Sequence, residues 1–207
     1  MKTDSTLRFY DTDAQTTAAT YEHVPFEAML SAIAPHLPDS GRLLEVGAGS
    51  GRDAAYWLAQ GYDVTAIDGS AGMMAEALRR HPELHGRMIP HVLPHRLPFV
   101  DACFDVVTSM AVIMHLSHED LWSVFADLSR VLAPDGVLAY SVNTERSGLD
   151  ANGNDRRGRH FTCLSADAWE VLHAAAGLQT TFRQENDDIT AREGIRWVTF
   201  AARKPIT

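Results

Sequence analysis

The residues best suited to chemistry form a glycine-rich turn that has an acidic residue before it and another after it. Glu45 precedes the turn, which contains Gly47, Gly49 and Gly51, and Asp68 follows the next apolar run. A glycine turn between a strand and a helix presents free backbone N–H groups and the positive end of a helix dipole. A carboxylate about twenty residues later is placed to accept hydrogen bonds from both hydroxyls of a ribose. The pattern therefore predicts a site for a ligand that contains a nucleoside.

The spacing of the glycines separates two classes of cofactor. A dinucleotide fingerprint reads Gly-x-Gly-x-x-Gly, and here its third glycine would fall on Arg52. The chain instead has Glu-x-Gly-x-Gly-x-Gly over residues 45–51, and it contains no Tyr-x-x-x-Lys pair. A nicotinamide-dependent oxidoreductase is therefore the less favoured alternative.

The turn is one of several motifs that occur in a fixed order along the chain. Four segments matter here: LEVGAGSG at 44–51, LPFVDACFDVV at 97–107, MHL at 114–116 and LSRVLAPDG at 128–136. In this order they resemble the class I S-adenosylmethionine-dependent methyltransferases, over about residues 42–143. One position departs from the family pattern, because Asp135 stands where the family has the first glycine of a pair. The resemblance implies S-adenosyl-L-methionine as cofactor and S-adenosyl-L-homocysteine as product.

The resemblance also implies which residues contact the cofactor. They are Glu45, Gly47, Ala48, Gly49, Gly51, Arg52, Asp68, Gly69, Met73, Leu93 and Met110. In this interpretation the glycines approach the methionine moiety, Asp68 holds the ribose hydroxyls, and Arg52 pairs with the cofactor carboxylate. Two alternatives stay open: Glu45 has a purely structural role, or Arg52 is only an exposed residue at a helix start.

Leu93 marks a second departure from the family pattern. Many relatives have an acidic residue at this position, four residues before the Leu-Pro pair, where it accepts a hydrogen bond from the adenine amino group. Here Leu93 is followed by Pro94. Adenine recognition is therefore expected to fall to backbone groups near Val92 and Leu93.

His115 and Tyr21 are the candidate catalytic residues. Methyl transfer is an in-line displacement that depends on alignment of the reactants and exclusion of water, and it needs a base only when the acceptor arrives protonated. His115 follows the predicted fourth strand, and a neutral imidazole accepts a proton near pH 7. Its alternative role is a structural cap before the next helix. Tyr21 either contacts the methionine moiety or simply packs the N-terminal region.

Short β-branched runs alternate with segments of helical spacing, which is typical of βαβ units. We expect strands at 42–46, 63–67, 87–92, 104–110 and 137–142, helices at 53–60, 71–81, 117–132 and 165–176, and a hairpin formed by 178–185 and 195–202. The expected fold class is α/β: a Rossmann-like, doubly wound sheet with helices on both faces. The resemblance adds seven mostly parallel strands, the last of them antiparallel.

The expected organisation is one methyltransferase domain over residues 1–207. It comprises an N-terminal helical lid region at 1–40, amphipathic over 14–36, a cofactor-binding core at 41–143, an exposed loop at 144–160, and a C-terminal helix and edge hairpin at 161–207.

Composition narrows the range of partners. The charge is 18 − 27 = −9 with histidine neutral, which disfavours nucleic acid or an anionic membrane because both need a cationic surface. The N-terminus lacks the apolar stretch of a signal peptide, and no run reaches the ~18 apolar residues of a membrane span. We therefore expect a cytoplasmic protein, as a monomer or homodimer, that acts on a small-molecule acceptor.

Cysteine and histidine spacing gives no sign of a metal site. Cys103 and Cys163 are far apart, and the ten histidines lack the pairing with glutamate that marks helical zinc sites. The acceptor atom is not readable from the sequence. A non-catalytic cofactor-binding module stays open as an alternative function.

Overall fold

The computed structural model describes residues 2–206, without the side chains of residues 2–4, 27 and 28. Seven strands form one sheet in the order β3-β2-β1-β4-β5-β7-β6. The strands are β1 (Arg42–Val46), β2 (Asp63–Asp68), β3 (Met88–Pro90), β4 (Phe104–Met110), β5 (Leu132–Arg146), β6 (Gln179–Asp187) and β7 (Ile195–Arg203). The helices are α1 (Lys2–Thr12), α2 (Ala14–Glu22), α3 (Glu27–Ile33), α4 (Arg52–Ala59), α5 (Ala71–Arg80), α6 (His118–Val131) and α7 (Ala166–Ala175), with short 3-10 turns at 34–36, 82–84 and 113–115.

Both faces of the sheet are covered, as expected for parallel strands rich in apolar residues. One core layer packs α6 and α7 against the sheet through residues such as Phe125 and Trp169. The other packs α3 and α4 against the opposite face through Leu30, Ile33 and Trp57. The predicted α/β class with helices on both faces is confirmed.

The C-terminal part of the sheet is antiparallel. β7 lies between β5 and β6 and pairs antiparallel with each of them, for example Leu138 with Ala202 and Arg183 with Phe200. β1, β2, β3, β4 and β5 pair in parallel. The predicted seven-stranded sheet with an antiparallel last strand is confirmed, and so is the hairpin at its edge.

Two differences from the expected elements lie in the N-terminal region. The segment 14–36 forms two α-helices and a 3-10 turn rather than one amphipathic unit, and α1 lies in a part of the predicted helical lid region (1–40) for which no separate helix was given. Long-range contacts hold α1 in place. Thr6 Oγ1 accepts a hydrogen bond from the His160 N–H at 2.9 Å, and Asp11 Oδ1 accepts from Ser70 Oγ at 2.7 Å. These contacts place α1 over the carboxyl ends of the parallel strands.

Another difference concerns the segment that was expected to be an exposed loop at 144–160. Its first residues belong to β5, which pairs with β7 as far as Arg146 opposite Ile195. Its last residue, His160, is buried. β5 also begins earlier than predicted, because Leu132 already pairs with Phe104 of β4. Only the middle of this segment is a surface loop.

Asp135 has a positive φ of 65°, in the left-handed region that favours glycine. The family pattern has a glycine here, so the departure lies in residue type and not in backbone conformation. No helix in the described part of the chain is long and apolar enough to cross a membrane.

Candidate active site

A cavity of about 710 Å³ opens at the carboxyl edge of the sheet, underneath α1 and α2. Its volume is in the range of small-molecule sites. We call the lining residues between 45 and 93 the turn wall, and the lining residues between 146 and 199 the arginine wall. Residues 110–116, after β4, form the floor between the two walls.

The glycine turn brings main chain to the cavity surface. Gly47 and Gly49 have positive φ angles of 75° and 54°. A Cβ on Gly47 would lie 2.4 Å from Cγ2 of Val112, so only glycine fits there. A Cβ on Gly49 would come no closer than 3.7 Å to the Cε of Met73, and it would take up cavity space. The turn thus leaves room for a ligand to approach the backbone closely.

Gly51 has a different position from the other two glycines. It is the N-cap of α4 with a φ of 84°. It does not line the cavity, because the Cβ it lacks would face Ala77 and Leu84 at 3.0 and 2.9 Å. Its absence of a side chain allows α4 to pack against α5. Gly51 was predicted to bind cofactor, and the structure places it behind the site.

Asp68 lies at the end of β2 with its carboxylate on the turn wall. Oδ2 accepts a hydrogen bond from the Gly49 N–H, and Oδ1 accepts from the Ser70 N–H, both at 2.8 Å. Burial raises the pKa of Asp68 above its usual value, although these N–H donors oppose the effect. The two bonds fix the carboxylate, and each oxygen keeps a further lone pair for a ligand hydroxyl.

Glu45 is buried beneath the turn and accepts a hydrogen bond from the Thr108 hydroxyl. Burial raises its pKa to about 8, and the nearby Asp53 adds to the effect. Glu45 also lines the cavity, so its position fits both the structural and the ligand-binding interpretation.

Arg52 joins α4 to the N-terminal helices. Its Nη1 donates to the carbonyl of Tyr21 at 2.6 Å, and its Nε donates to Oδ1 of Asp53 at 2.7 Å. The guanidinium also lies over the ring of Phe26, 4.1 Å from its centroid. Arg52 is therefore not the simple exposed residue of the alternative interpretation.

The other predicted cofactor-contacting residues also reach the cavity. Ala48, Gly69, Met73, Leu93 and Met110 all line it, and so do His91 and Val92 beside Leu93. A Cβ on Gly69 would lie 2.9 Å from Cδ2 of Leu7, which shows how closely α1 covers this edge.

His115 and Tyr21 are joined through Tyr10 in a chain of hydrogen bonds. Tyr21 donates to the Tyr10 hydroxyl oxygen at 3.3 Å, and this hydroxyl lies 3.1 Å from Nε2 of His115. The other ring nitrogen, Nδ1, lies 2.6 Å from the carbonyl oxygen of His160. A carbonyl only accepts, so Nδ1 carries the proton and Nε2 accepts from Tyr10. We call Tyr21, Tyr10 and His115 the relay.

Burial controls the proton affinities within the relay. It lowers the pKa of His115 to about 4 and raises the pKa of Tyr10 well above its usual value. At neutral pH His115 and Tyr10 are therefore both uncharged. His115 is a weaker base here than the usual imidazole pKa near 6.5 suggests.

The arginine wall combines aromatic rings with charged side chains. Phe161 lies under the guanidinium of Arg146, with 3.9 Å from the guanidinium carbon to the ring centroid. The Phe161 ring also contacts His115, with 4.6 Å between ring centroids. Trp197 donates from Nε1 to Asp188 at 2.9 Å, which fixes the indole at the cavity edge. The wall offers apolar surface with cationic groups beside it.

A family model described as a methyltransferase domain matches residues 44–140. This range contains the whole turn wall, together with β4 and α6. The chain belongs to the class I S-adenosylmethionine-dependent methyltransferase family.

Curated relatives agree with this membership. The chain is 28% identical over 179 residues to the malonyl-[acyl-carrier protein] O-methyltransferase of Geobacter sulfurreducens, covering 79% of this chain and 65% of that protein. It is 33% identical over 161 residues to the uncharacterised methyltransferase YodH of Bacillus subtilis, covering 75% of this chain and 66% of that protein. In both cases the match spans less than two thirds of the relative's length.

A solved structure shows the same fold. The 1,6-didemethyltoxoflavin-N1-methyltransferase of Burkholderia thailandensis superposes with a TM-score of 0.75 at 23% identity, covering 98% of this chain and 88% of that chain. That structure holds 1,6-didemethyltoxoflavin and S-adenosylhomocysteine.

The turn wall fits the family's cofactor, S-adenosyl-L-methionine. Gly49 leaves space where a Cβ would intrude, and the fixed carboxylate of Asp68 faces the same cavity. The part of the chain that the structure describes contains no cluster of His, Cys, Asp or Glu able to hold a metal ion.

Several lining residues were not predicted from the sequence. Tyr10 was considered only as part of a lid, and Arg146, Arg159, Phe161 and Asp188 were not singled out at all. Tyr10 and Phe161 meet His115 over long separations, 105 residues in the case of Tyr10. The only available signal was the spacing of Thr6, Phe9 and Tyr10, which is consistent with one face of a short helix.

Proposed function

We propose that this protein transfers the methyl group of S-adenosyl-L-methionine to a small-molecule acceptor. The observation that carries the proposal is a single cavity with the glycine turn and Asp68 on one side and the aromatic and cationic groups of the arginine wall on the other. The names of the relatives support a small acceptor, since one acts on a malonyl group carried by a protein and another on a toxoflavin precursor.

In this proposal the bound cofactor supplies an electrophilic methyl group on a sulfonium. The lone pairs of Asp68 that remain free accept hydrogen bonds from the ribose hydroxyls. The turn at Gly47 and Gly49 lets the main chain approach the methionine moiety, and the backbone near Val92 and Leu93 contacts adenine. α1 and α2 exclude water, which favours displacement over hydrolysis. Alignment alone contributes roughly 7 to 11 kcal/mol in well-oriented systems.

The relay provides a route for a proton when the acceptor carries one. The acceptor proton moves to the oxygen of Tyr10 while the Tyr10 proton moves to Nε2 of His115. Because the pKa of His115 is about 4, this route suits an acceptor whose proton becomes strongly acidic on methylation. An acceptor that is already an anion needs no such transfer, and the relay then only orients it.

The proposal also covers the localisation, oligomeric state and partners of the protein. We place the protein in the cytoplasm as a monomer or homodimer, with residues 1–207 acting as one methyltransferase domain and with no nucleic-acid partner. The net charge of −9 supports the last point.

Thermal unfolding with and without ligand tests the proposal. At about 100 times the dissociation constant, S-adenosylmethionine or S-adenosylhomocysteine should stabilise the protein by about 2.7 kcal/mol. This corresponds to a rise of roughly 5 to 10 °C in the unfolding midpoint. NADH is the control ligand and should give no rise.

An acceptor screen with methyl-labelled cofactor then separates an enzyme from a binding module. Label transfer to a small molecule supports the proposal. Cofactor binding with no transfer to any acceptor class favours a non-catalytic module, and a rise with NADH alone contradicts the whole assignment.

A further inference from the structure

Arg146, the last residue of β5, carries hydrogen-bond donors that lack a good acceptor. Its side chain is only 10% exposed, it lines the cavity, and its Nε is buried. Within the described part of the chain, this Nε has no hydrogen-bond partner. The nearest acceptors of its other nitrogens are distant, with Asn143 Oδ1 at 3.5 Å and Asp155 Oδ2 at 3.7 Å. The guanidinium therefore keeps donors that the protein does not satisfy.

The carboxylates near Arg146 are already engaged with other groups. Asp155 Oδ2 accepts from Nε and Nη2 of Arg159 at 2.9 and 2.6 Å. Asp188 accepts from Nη2 of Arg192 at 2.7 Å and from Nε1 of Trp197 at 2.9 Å. Each of these carboxylates neutralises one arginine, so the positive charge of Arg146 is left without an equal partner.

The surroundings make this charge unfavourable when the cavity is empty. Burial lowers the pKa of Arg146, and repulsion from Arg159 and Arg192 acts in the same direction. A buried cation without a partner is destabilising, whereas a carboxylate matches the fork of a guanidinium with strong, charge-assisted hydrogen bonds. A ligand anion at this point would satisfy donors that the folded protein leaves open.

The position of Arg146 relates such an anion to the reaction site. Arg146 and His115 contact the same ring, that of Phe161. An anion held by Arg146 therefore lies about one aromatic ring away from the relay, with the apolar surface of Phe161 and Trp197 beside it. This arrangement suits an acceptor with an apolar body and one acidic group.

We propose that the methyl acceptor is a carboxylic acid whose carboxylate is bound by Arg146. The inference rests on the proposed function and narrows its substrate class. One unmatched guanidinium corresponds to one negative charge, which favours a monocarboxylate over a phosphate ester. Arg146 is a positioning residue for the acceptor and does not bind the cofactor.

Matched acids and amides test the inference on the full chain saturated with S-adenosylhomocysteine. Benzoate, phenylacetate and hexanoate are each compared with their amides by calorimetry. The acid of at least one pair should bind about tenfold or more tightly than its amide, as expected for hydrogen bonds between charged groups. Arg146→Met should reduce this preference to within about twofold, and Arg146→Lys should keep part of it, since a lysine retains the charge but not the fork.

The matched control is Arg156→Met, in the loop that follows β5, where the arginine is exposed and does not line the cavity. This variant should keep the full preference for acids. The affinity for S-adenosylhomocysteine should be the same in the wild type and in all three variants, because Arg146 is not part of the turn wall.

The outcomes separate this inference from the proposed function. If the wild type binds S-adenosylhomocysteine but does not prefer the acids to the amides, the inference alone is overturned. The same holds if the wild type binds neither member of any pair. A loss of S-adenosylhomocysteine affinity in Arg146→Met also overturns it, since Arg146 would then hold the cofactor. Failure of the wild type to bind S-adenosylhomocysteine overturns the proposed function, and the same pairs are then measured without it. The comparison of acid with amide in the wild type decides the question even if Arg146→Met does not fold.

Discussion

The turn wall of the cavity is built mainly from backbone groups and residues close in sequence, whereas the arginine wall is built from long side chains that meet across the fold. On the turn wall, Gly49 and Asp68 are 19 residues apart and joined by one hydrogen bond. On the opposite side, Phe161 packs its ring against that of His115, 46 residues earlier in the chain.

This difference in construction matches a difference in task. A cofactor that is the same throughout a family can be bound by main-chain geometry, which tolerates few changes. An acceptor that differs between relatives must be bound by side chains, which change one at a time. The two walls should therefore respond differently to substitution, in stability, in cofactor affinity and in turnover.

The largest effect is expected at Gly47. Gly47→Ala combines left-handed backbone strain of about 1 to 2 kcal/mol with overlap against Val112, for which overpacking costs about 1 to 3 kcal/mol. The free energy of unfolding, measured with urea, should fall by roughly 2 to 5 kcal/mol. Gly86→Ala is the control because Gly86 has a similar φ of 78° and nothing within 4 Å of the added Cβ. Equal losses in both variants would show that Val112 does not restrict the turn.

The second prediction concerns the pH dependence of stability. The pKa values of His115 and His173 are both lowered to about 4 by burial. The unfolded chain, with a histidine pKa near 6.5, therefore binds more protons between these pH values. The free energy of unfolding should fall as the pH drops from about 6.5 to about 4, by up to about 3 kcal/mol for each histidine.

Urea unfolding at several pH values, in wild type and in His115→Gln and His173→Gln, measures this effect. In each variant the free energy of unfolding should depend less steeply on pH, by the contribution of the histidine that was replaced. Nε2 of His173 lies 2.6 Å from the Tyr140 hydroxyl in the core, and His173 does not line the cavity. A bound acceptor should therefore change only the contribution of His115 to the pH dependence. A variant that keeps the wild-type slope shows that its histidine is not held neutral.

Asp68 gives the third effect, which is specific to the turn wall. Asp68→Asn removes the negative charge and replaces one of the two oxygens, each of which accepts from a backbone N–H, by an amide NH2 group that cannot accept. The affinity for S-adenosylhomocysteine should fall about ten- to a hundredfold, as measured by calorimetry. Asp63→Asn, at the exposed start of the same strand, should leave the affinity unchanged. A similar loss in both variants would point to a general effect on β2.

The smallest effect is expected in the relay. Tyr10→Phe removes one hydrogen bond to His115, so kcat for an identified acceptor should fall about fivefold. S-adenosylhomocysteine affinity should change little. Tyr56→Phe is the control, since Tyr56 packs in the core layer with α3 and α4. If Tyr10→Phe raises only the KM for the acceptor, Tyr10 binds the acceptor and does not take part in proton movement.

The sequence predicted the parts of the fold that local signals determine. β1 and β4 have the expected bounds, since each is a short run rich in apolar residues, and β1 stops at Gly47. The motifs also indicated that segments far apart in the sequence belong to one fold, and the structure shows direct contacts between two of these motifs. Arg130 of the fourth motif donates to the carbonyls of Phe99 at 2.7 Å and Leu97 at 3.1 Å in the second.

The rest depended on long-range contacts that a single sequence does not display. The early start of β5 is an example: β4 pairs with Leu132 and then only from Val137, so residues 133–136 form an irregularity inside the strand. α1 has little apolar character of its own and depends on partners such as His160 and Ser70. Arg146 belongs to the same class, since its unmatched charge is visible only when Asp155 and Asp188 are seen with their own arginines.

The bond between Thr6 and His160 also bears on how the chain assembles during synthesis. The helices α1 and α2 are synthesised before the sheet, yet the main-chain group that binds Thr6 is made 154 residues later. Domains that depend on contacts of such long separation complete their structure late. The cover of the cavity is thus made before the sheet beneath it, but it gains this bond only after residue 160 has been added.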